Sequence, residues 1–112
     1  MSRLREKLLK LIPKFELTEA FAAEAGQLFL MFGDAERWPA DSIARVLVVR
    51  APDYVQVAFL DRSRAGIQVN SLGAGKCEVI ISHELLASAE SAKLQKKFWQ
   101  SYLKLIRQKV ER

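Results

Sequence analysis

The rhythm of hydrophobic and polar residues changes four times along this chain. From Ser2 to Leu11 the apolar positions Leu4, Leu8, Leu9 and Leu11, with Ile12, recur at helical spacing until Pro13 stops the pattern. This predicts a short helical arm. Arg3, Arg5, Lys7, Lys10 and Lys14 flank it, as in surface-lying amphipathic anchors. At this length, a solvated arm that packs its leucines on the body is the favoured reading. Phe15 to Ala23 alternates in part, with Phe15, Leu17, Phe21 and Ala23 on one side, and predicts a first strand. Ala25 to Phe32 crowds Leu28, Phe29, Met31 and Phe32 into a two-turn buried helix that Gly33-Asp34 ends. Asp34 can cap one further turn, DAERW, before Pro39 forces an irregular connection.

From Ile43 to His83 the period shortens to two, and turn residues arrive about every 10 positions. This is the pattern of an antiparallel meander. Ile43 to Arg50 is its first strand, turned at Ala51-Pro52-Asp53. Tyr54 to Leu60 follows, with Val55, Val57 and Phe59 on one face and Tyr54, Gln56, Ala58 and Leu60 on the other. After Asp61-Arg62-Ser63, Arg64 to Asn70 sends Ala65, Ile67 and Val69 to one side. SLGAG then turns the chain into Lys76 to His83, where Cys77, Val79, Ile81 and His83 share parity.

The last segment begins near Leu85-Leu86-Ala87-Ser88 and reaches the C-terminus without Gly or Pro after Gly75. Stepping about 100° per residue places Leu94, Phe98, Trp99, Tyr102, Leu103, Leu105, Ile106 and Val110 on one half of a helix. Lys93, Lys96, Lys97, Lys104 and Arg107 fall on the other. Aromatics and cations therefore point in opposite directions, whereas readers of single-stranded nucleic acid present them together. Nucleic acid is disfavoured as a partner, and the apolar half reads as an inner wall. From Ser88 to Val110 the helix is about 34 Å long, and five strands about 4.8 Å apart make a sheet about 24 Å wide. The helix can cross the whole sheet. The expected fold is α+β, a helix-grip arrangement in which an antiparallel sheet of about five strands wraps around the long C-terminal helix.

Composition narrows the functional classes. The chain has 112 residues, half of them hydrophobic, and 28% charged, which predicts one folded domain over residues 1–112 rather than a disordered chain. No apolar run approaches the roughly 20 residues of a membrane-spanning helix, and the basic start lacks a signal-peptide pattern, so a cytoplasmic location is expected. One Cys and one His exclude an internal disulfide and a conventional Cys/His zinc site within the chain. No metal or cofactor is expected. The carboxylates Asp34, Glu36, Asp41, Asp53 and Asp61 mostly fall in predicted turns, and no acid/base pair stands out.

The run GAGKCEVIISHELLASAESAKLQKKFWQSYLKLI resembles the C-terminal signature of the SRPBCC (START-like) superfamily, in the branch of the activator of heat-shock-protein ATPase homologues. The elements carrying the likeness are Gly75-Lys76, the strand Val79 to Ile81, His83, Leu85 or Leu86, Lys93, Phe98-Trp99 and Leu103 to Ile106. FAAEAGQLFLMFGDAERW is similar to the family's first strand and short helix, with Asp34 and Trp38 in its turn. Only a handful of residues separate Trp38 from Ile43, where typical members insert more strands, so the chain resembles a shortened member.

The resemblance implies an interior cavity between sheet and helix that holds an apolar small molecule or lipid. Its wall would be Phe29, Phe32, Trp38, Phe59, Trp99, Tyr102 and Ile106, with Tyr54, Gln56 and His83 as polar contacts. Filling the core of a ligandless domain is the competing reading of those residues. Non-catalytic binding is the first functional expectation. The alternative is a protein-interaction or chaperone-regulating module using Lys93, Lys96, Lys97, Lys104 and Arg107. A cyclase or hydrolase comes third, because His83 is its sole good acid or base. The protein is expected to be a monomer or a homodimer.

Overall fold

The computed structural model describes residues 13–111. The arm expected over Ser2–Leu11 lies outside the described residues. The elements run β1 (Phe15–Phe21), α1 (Ala25–Gly33), a 3₁₀ turn (Ala35–Arg37), β2 (Ile43–Arg50), β3 (Tyr54–Phe59), β4 (Arg64–Gly73), β5 (Lys76–Glu84) and α2 (Ala89–Val110). The strands form one antiparallel sheet in the order β1-β5-β4-β3-β2. The α+β helix-grip fold read from the sequence is the fold observed.

Local chemistry explains the boundaries. The Ser88 hydroxyl accepts from the Ser91 amide at 3.1 Å, supplying an N-cap for α2, and Glu90 lies in the first turn against the helix dipole. Leu85, Leu86 and Ala87 are therefore connection rather than helix. The Asp34 carboxylate accepts from the Glu36 amide at 3.0 Å, capping the 3₁₀ turn as expected. Strand β4 runs to Gly73, further than the alternation suggested. Gly73 and Gly75, with φ of 126° and 72°, make the tight turn into β5 that a Cβ would strain.

Alternation sets which face is covered. Val55, Val57 and Phe59 of β3, Ala65, Ile67 and Val69 of β4, and Cys77, Val79, Ile81 and His83 of β5 are all buried. They meet Leu28, Met31 and Phe32 of α1, Trp38, and Trp99, Tyr102, Leu103 and Ile106 of α2. Strand β2 departs from simple alternation. Register shifts between Ile43 and Arg45 and between Val46 and Val48 place Ile43, Val46 and Val49 opposite Phe59, Val57 and Val55. Bulges thus turn every third residue of this edge strand toward the core side. Val49 nevertheless stays 54% exposed, although the end of α1 at Gly33 lies beside it.

The α2 helix runs from the end of the sheet where β1 starts to the end where β1 finishes. At the far end, Arg107 donates to Glu19 at 2.8 Å and to Glu111 at 2.7 Å, and its guanidinium sits 4.5 Å from the Phe21 ring centroid. Glu19 pairs in register with Val79, so it occupies a core-side position on the β1 edge. An inward charge on an edge strand discourages edge-to-edge pairing, and Arg107 supplies its counter-ion. Glu111 and Glu24 accept from the Ala22 and Gly75 amides at 3.0 and 2.7 Å, closing the corner between β1 and α1.

Candidate functional site

The residues assigned to a cavity wall divide into three groups. Phe32, Trp38, Phe59, His83, Trp99, Tyr102 and Ile106 are buried together between sheet and α2. Phe29 is only partly buried, at the margin of α1, where it borders an open groove with Leu30 and Val49. Tyr54 and Gln56 lie on the opposite face of the sheet from this interior. The Tyr54 ring covers Gly66, where a Cβ would come within 2.7 Å of the phenol oxygen, and Arg50 stacks over the same ring at 4.6 Å. The parity that buries Val55 and Val57 necessarily turns Tyr54 and Gln56 away.

The interior itself is filled by the protein's own rings. Trp38 lies between 4.9 and 6.4 Å, centroid to centroid, from each of Phe32, Phe59, Phe98, Trp99 and Tyr102. These are contact separations for aromatic pairs. Trp38 also donates its indole N–H to the Phe32 carbonyl at 2.9 Å, which locks the 3₁₀ turn over the cluster. The concavities beside it, such as one of about 390 Å³ at Phe15 and His83 and one of about 400 Å³ between α1 and the end of α2, open to solvent.

A chain of polar groups crosses this apolar interior. The Trp99 indole N–H, which can only donate, lies 2.9 Å from His83 Nδ1, so Nδ1 accepts and the imidazole proton sits on Nε2. Nε2–H then donates to Ser63 Oγ at 2.7 Å, and the Ser63 hydroxyl donates to Asp61. Asp61 also accepts from the Ser63 amide and from Gln95 of α2, both at 2.9 Å. Sheet, turn and helix are joined through one satisfied network. Burial drives His83 down from 6.5 to about 4, and the attraction of Asp61 offsets little of this, so the ring is neutral. Burial alone would raise the Asp61 carboxyl, but the hydrogen bonds from Ser63 and Gln95 hold it below its ordinary value.

Asp, Ser and His in contact suggest a hydrolase triad, yet the connectivity is reversed. A triad needs the carboxylate on the imidazole and a free imidazole lone pair for the serine proton. Here the carboxylate touches the serine, the lone pair is taken by Trp99, and the proton runs from His83 toward Ser63. Ser63 and His83 are both fully buried. This arrangement holds the fold together and leaves His83 no lone pair with which to act as a base. Sequence reading missed Ser63 as a partner. The available signal was the D-x-S turn, whose Asx geometry points a serine inward beside a core-parity histidine.

Two further groups complete the electrostatics. The Tyr102 hydroxyl is buried without a hydrogen-bond partner, the one such side-chain atom among the described residues. Burial pushes its pKa well above the ordinary phenol value, with nearby Arg37 opposing. Burial likewise raises the Cys77 thiol, aided by Glu24 and Glu111, so it behaves as a small apolar side chain.

On the outer side of α2, Lys93, Lys96, Lys97 and Lys104 are exposed. Lys96 lies 5.5 Å from the Phe15 ring centroid. Arg107 does not join that free surface, because Glu19, Glu111 and Phe21 hold it against β1. Leu94 and Leu105, placed on the inner half by the helical wheel, are 64% and 51% exposed. The covered arc of α2 is narrower than its apolar arc.

Among the described residues no helix is long and apolar enough to cross a membrane. No family model matches the chain, and no curated protein matches it in sequence. Its structure is similar to that of an AHSA1-like protein from Rhizobium etli solved by NMR, with a TM-score of 0.61 at 17% identity over 87% of this chain and 82% of that one. It is also similar to the crystal structure of an uncharacterised protein from Bacillus thuringiensis, with a TM-score of 0.54 at 13% identity over 86% and 97% of the two chains. The likeness read from the C-terminal third of the sequence is thus met by solved neighbours, and this chain shares the helix-grip fold of the AHSA1-like proteins.

Proposed function

We propose that this chain is a non-catalytic interaction module whose α2 outer face receives an acidic segment of a protein partner. The observation that carries this reading is the charge pattern of α2. Between Glu90 and Glu111 the helix has no acidic residue and six basic ones. Lys93, Lys97 and Lys104 share one exposed stripe, and no ion pair engages them among the described residues. Like charges at i and i+4 destabilise a helix by a few tenths of a kcal/mol, roughly what an opposite charge would add. The stripe therefore does nothing for the fold, and a cationic surface raises association rates with acidic partners. A chaperone is one partner class that the sequence resemblance suggests.

The test is binding of an acidic amphipathic peptide by fluorescence anisotropy. Lys93→Glu, Lys97→Glu and Lys104→Glu combined should weaken it at least tenfold, and raising salt should weaken the wild type alone. Equal affinity in the triple variant would remove this reading.

A second reading, binding of an apolar small molecule, is supported by the Tyr102 hydroxyl. An unpaired buried polar atom costs about 1–3 kcal/mol, and a ligand's polar atom would relieve that cost. Admitting one requires the ring cluster to part. Native mass spectrometry of gently purified protein should show a retained small-molecule mass that Tyr102→Phe diminishes. Bare protein in both samples counts against the ligand.

A further inference from the structure

Helix α2 leaves one flank of its apolar arc uncovered. At about 100° per residue, Leu94, Phe98, Leu105 and Lys109 fall within an arc of about 60°. Leu94 and Leu105 are 64% and 51% exposed, and Phe98 is only partly buried. The sequence Leu94, Phe98, Ser101, Leu105 steps along the helix at the alternating intervals of a seam between two helices. Beside Leu94 the flank opens into a groove of about 230 Å³, shared with Leu60, which is itself 58% exposed. That is smaller than the roughly 300–1,000 Å³ of small-molecule pockets and suits an inserted side chain.

Charge along this flank is divided by end. Asp41 and Asp61 line the groove at the Leu94 end, where no cation joins them. Arg37 and Lys109 line the concavity at the Leu105 end, where no carboxylate joins them. Among the described residues Asp41, Asp61 and Lys109 take part in no ion pair, and Arg37 has Asp34 at 3.3 Å.

We propose that a second copy of this chain packs on the flank, its α2 antiparallel to the first about a two-fold axis. Leu105 of each copy then enters the groove beside Leu94 of the other, and Arg37 and Lys109 of each meet Asp41 and Asp61 of the other. A two-fold interface is self-complementary, so the contact made at one end repeats at the other. Charge selects this occupant. A parallel copy would set acid on acid and base on base, and a foreign helix of one charge would match one end and be repelled at the other. Lys93, Lys97 and Lys104 lie about 60–100° round the helix on the far side of Leu94, so they keep to the solvent side. The pairing leaves that lysine stripe accessible, and either inference survives loss of the other.

The test is the oligomeric state of the whole chain, read by sedimentation over a concentration series. Wild type should form a dimer, and Leu105→Glu should weaken it by roughly tenfold or more, as loss of a central anchor does. Cross-linking then checks the register. Leu94→Cys copies mixed with Leu105→Cys copies should be joined by a short bismaleimide, the buried Cys77 taking no part. Either variant alone should stay unlinked, because like positions lie about 16 Å apart along an antiparallel pair. A monomer throughout, a dimer that Leu105→Glu leaves intact, or linkage between like copies overturns the proposal.

Discussion

The two halves of α2 grip the sheet by different physics. Its N-terminal half is fastened by a hydrogen-bond network that is buried and neutral at Trp99, His83 and Ser63 and ends on the Asp61 carboxylate, which also accepts from Gln95 near the surface. Its C-terminal half is fastened by exposed charge, in which Arg107 bridges Glu19 and Glu111. A hydrogen bond in a dry interior is costly to break because the abandoned partner stays desolvated. An exposed ion pair is replaced by water and salt at little loss. The first half therefore specifies where the helix crosses the sheet, and the second steers its orientation cheaply.

The sharpest break of that comparison is at Trp99. Trp99→Ala removes a fully buried indole from the centre of the cluster and should cost about 3–5 kcal/mol, read as a fall in the urea midpoint. Trp99→Phe keeps most of the packing but strands His83 Nδ1, and about 1–3 kcal/mol should go. A Phe variant as stable as wild type would show that the network contributes nothing beyond packing.

Acid separates the halves next. The unfolded chain protonates its histidine near pH 6.5, whereas folded His83 resists until about 4. Below pH 6.5 the unfolded state thus binds the extra proton. The contribution of His83 to stability is complete above 6.5, declines as pH falls, and is exhausted near 4. The loss is on the order of 3 kcal/mol. Denaturation midpoints between pH 7.5 and 4.5 should slope in the wild type and flatten in His83→Gln. Equal slopes would mean that His83 accepts its proton in the folded state.

Smaller effects are expected at the other end. Arg107→Ala should cost less than about 1 kcal/mol, because its charges face water, and 1 M salt should erase most of the difference. A salt-insensitive loss would point instead to packing of the guanidinium on Phe21. Smallest of all is Tyr102→Phe, which deletes an unpaired buried hydroxyl and should leave stability equal or slightly raised. Marked destabilisation would show that the hydroxyl has a partner after all.

Much of this architecture is legible in the residue pattern. The parity of Val55, Val57, Phe59, Ala65, Ile67 and Val69 names the covered face, because pleating admits no other choice. The same parity, followed through, also turns Tyr54 and Gln56 away from the interior. The bulges of β2 were not legible, since IARVLVVR is equally consistent with straight alternation and its register depends on β3. Nor was the role of Arg107, whose place on the helical wheel is basic and outward until Glu19 is seen at a core-side position of the neighbouring strand.

Short-range periodicity and capping by themselves determined the elements, their order and the faces that β3, β4 and β5 bury. They do so because burial of apolar area acts on every residue through its nearest repeats. Where the helix lies across the sheet was decided by the tertiary structure alone. So was the pairing of the indole of Trp99 with His83, and so was the filling of the interior with rings. Those outcomes rest on contacts between residues far apart in the chain, whose directions no local pattern encodes.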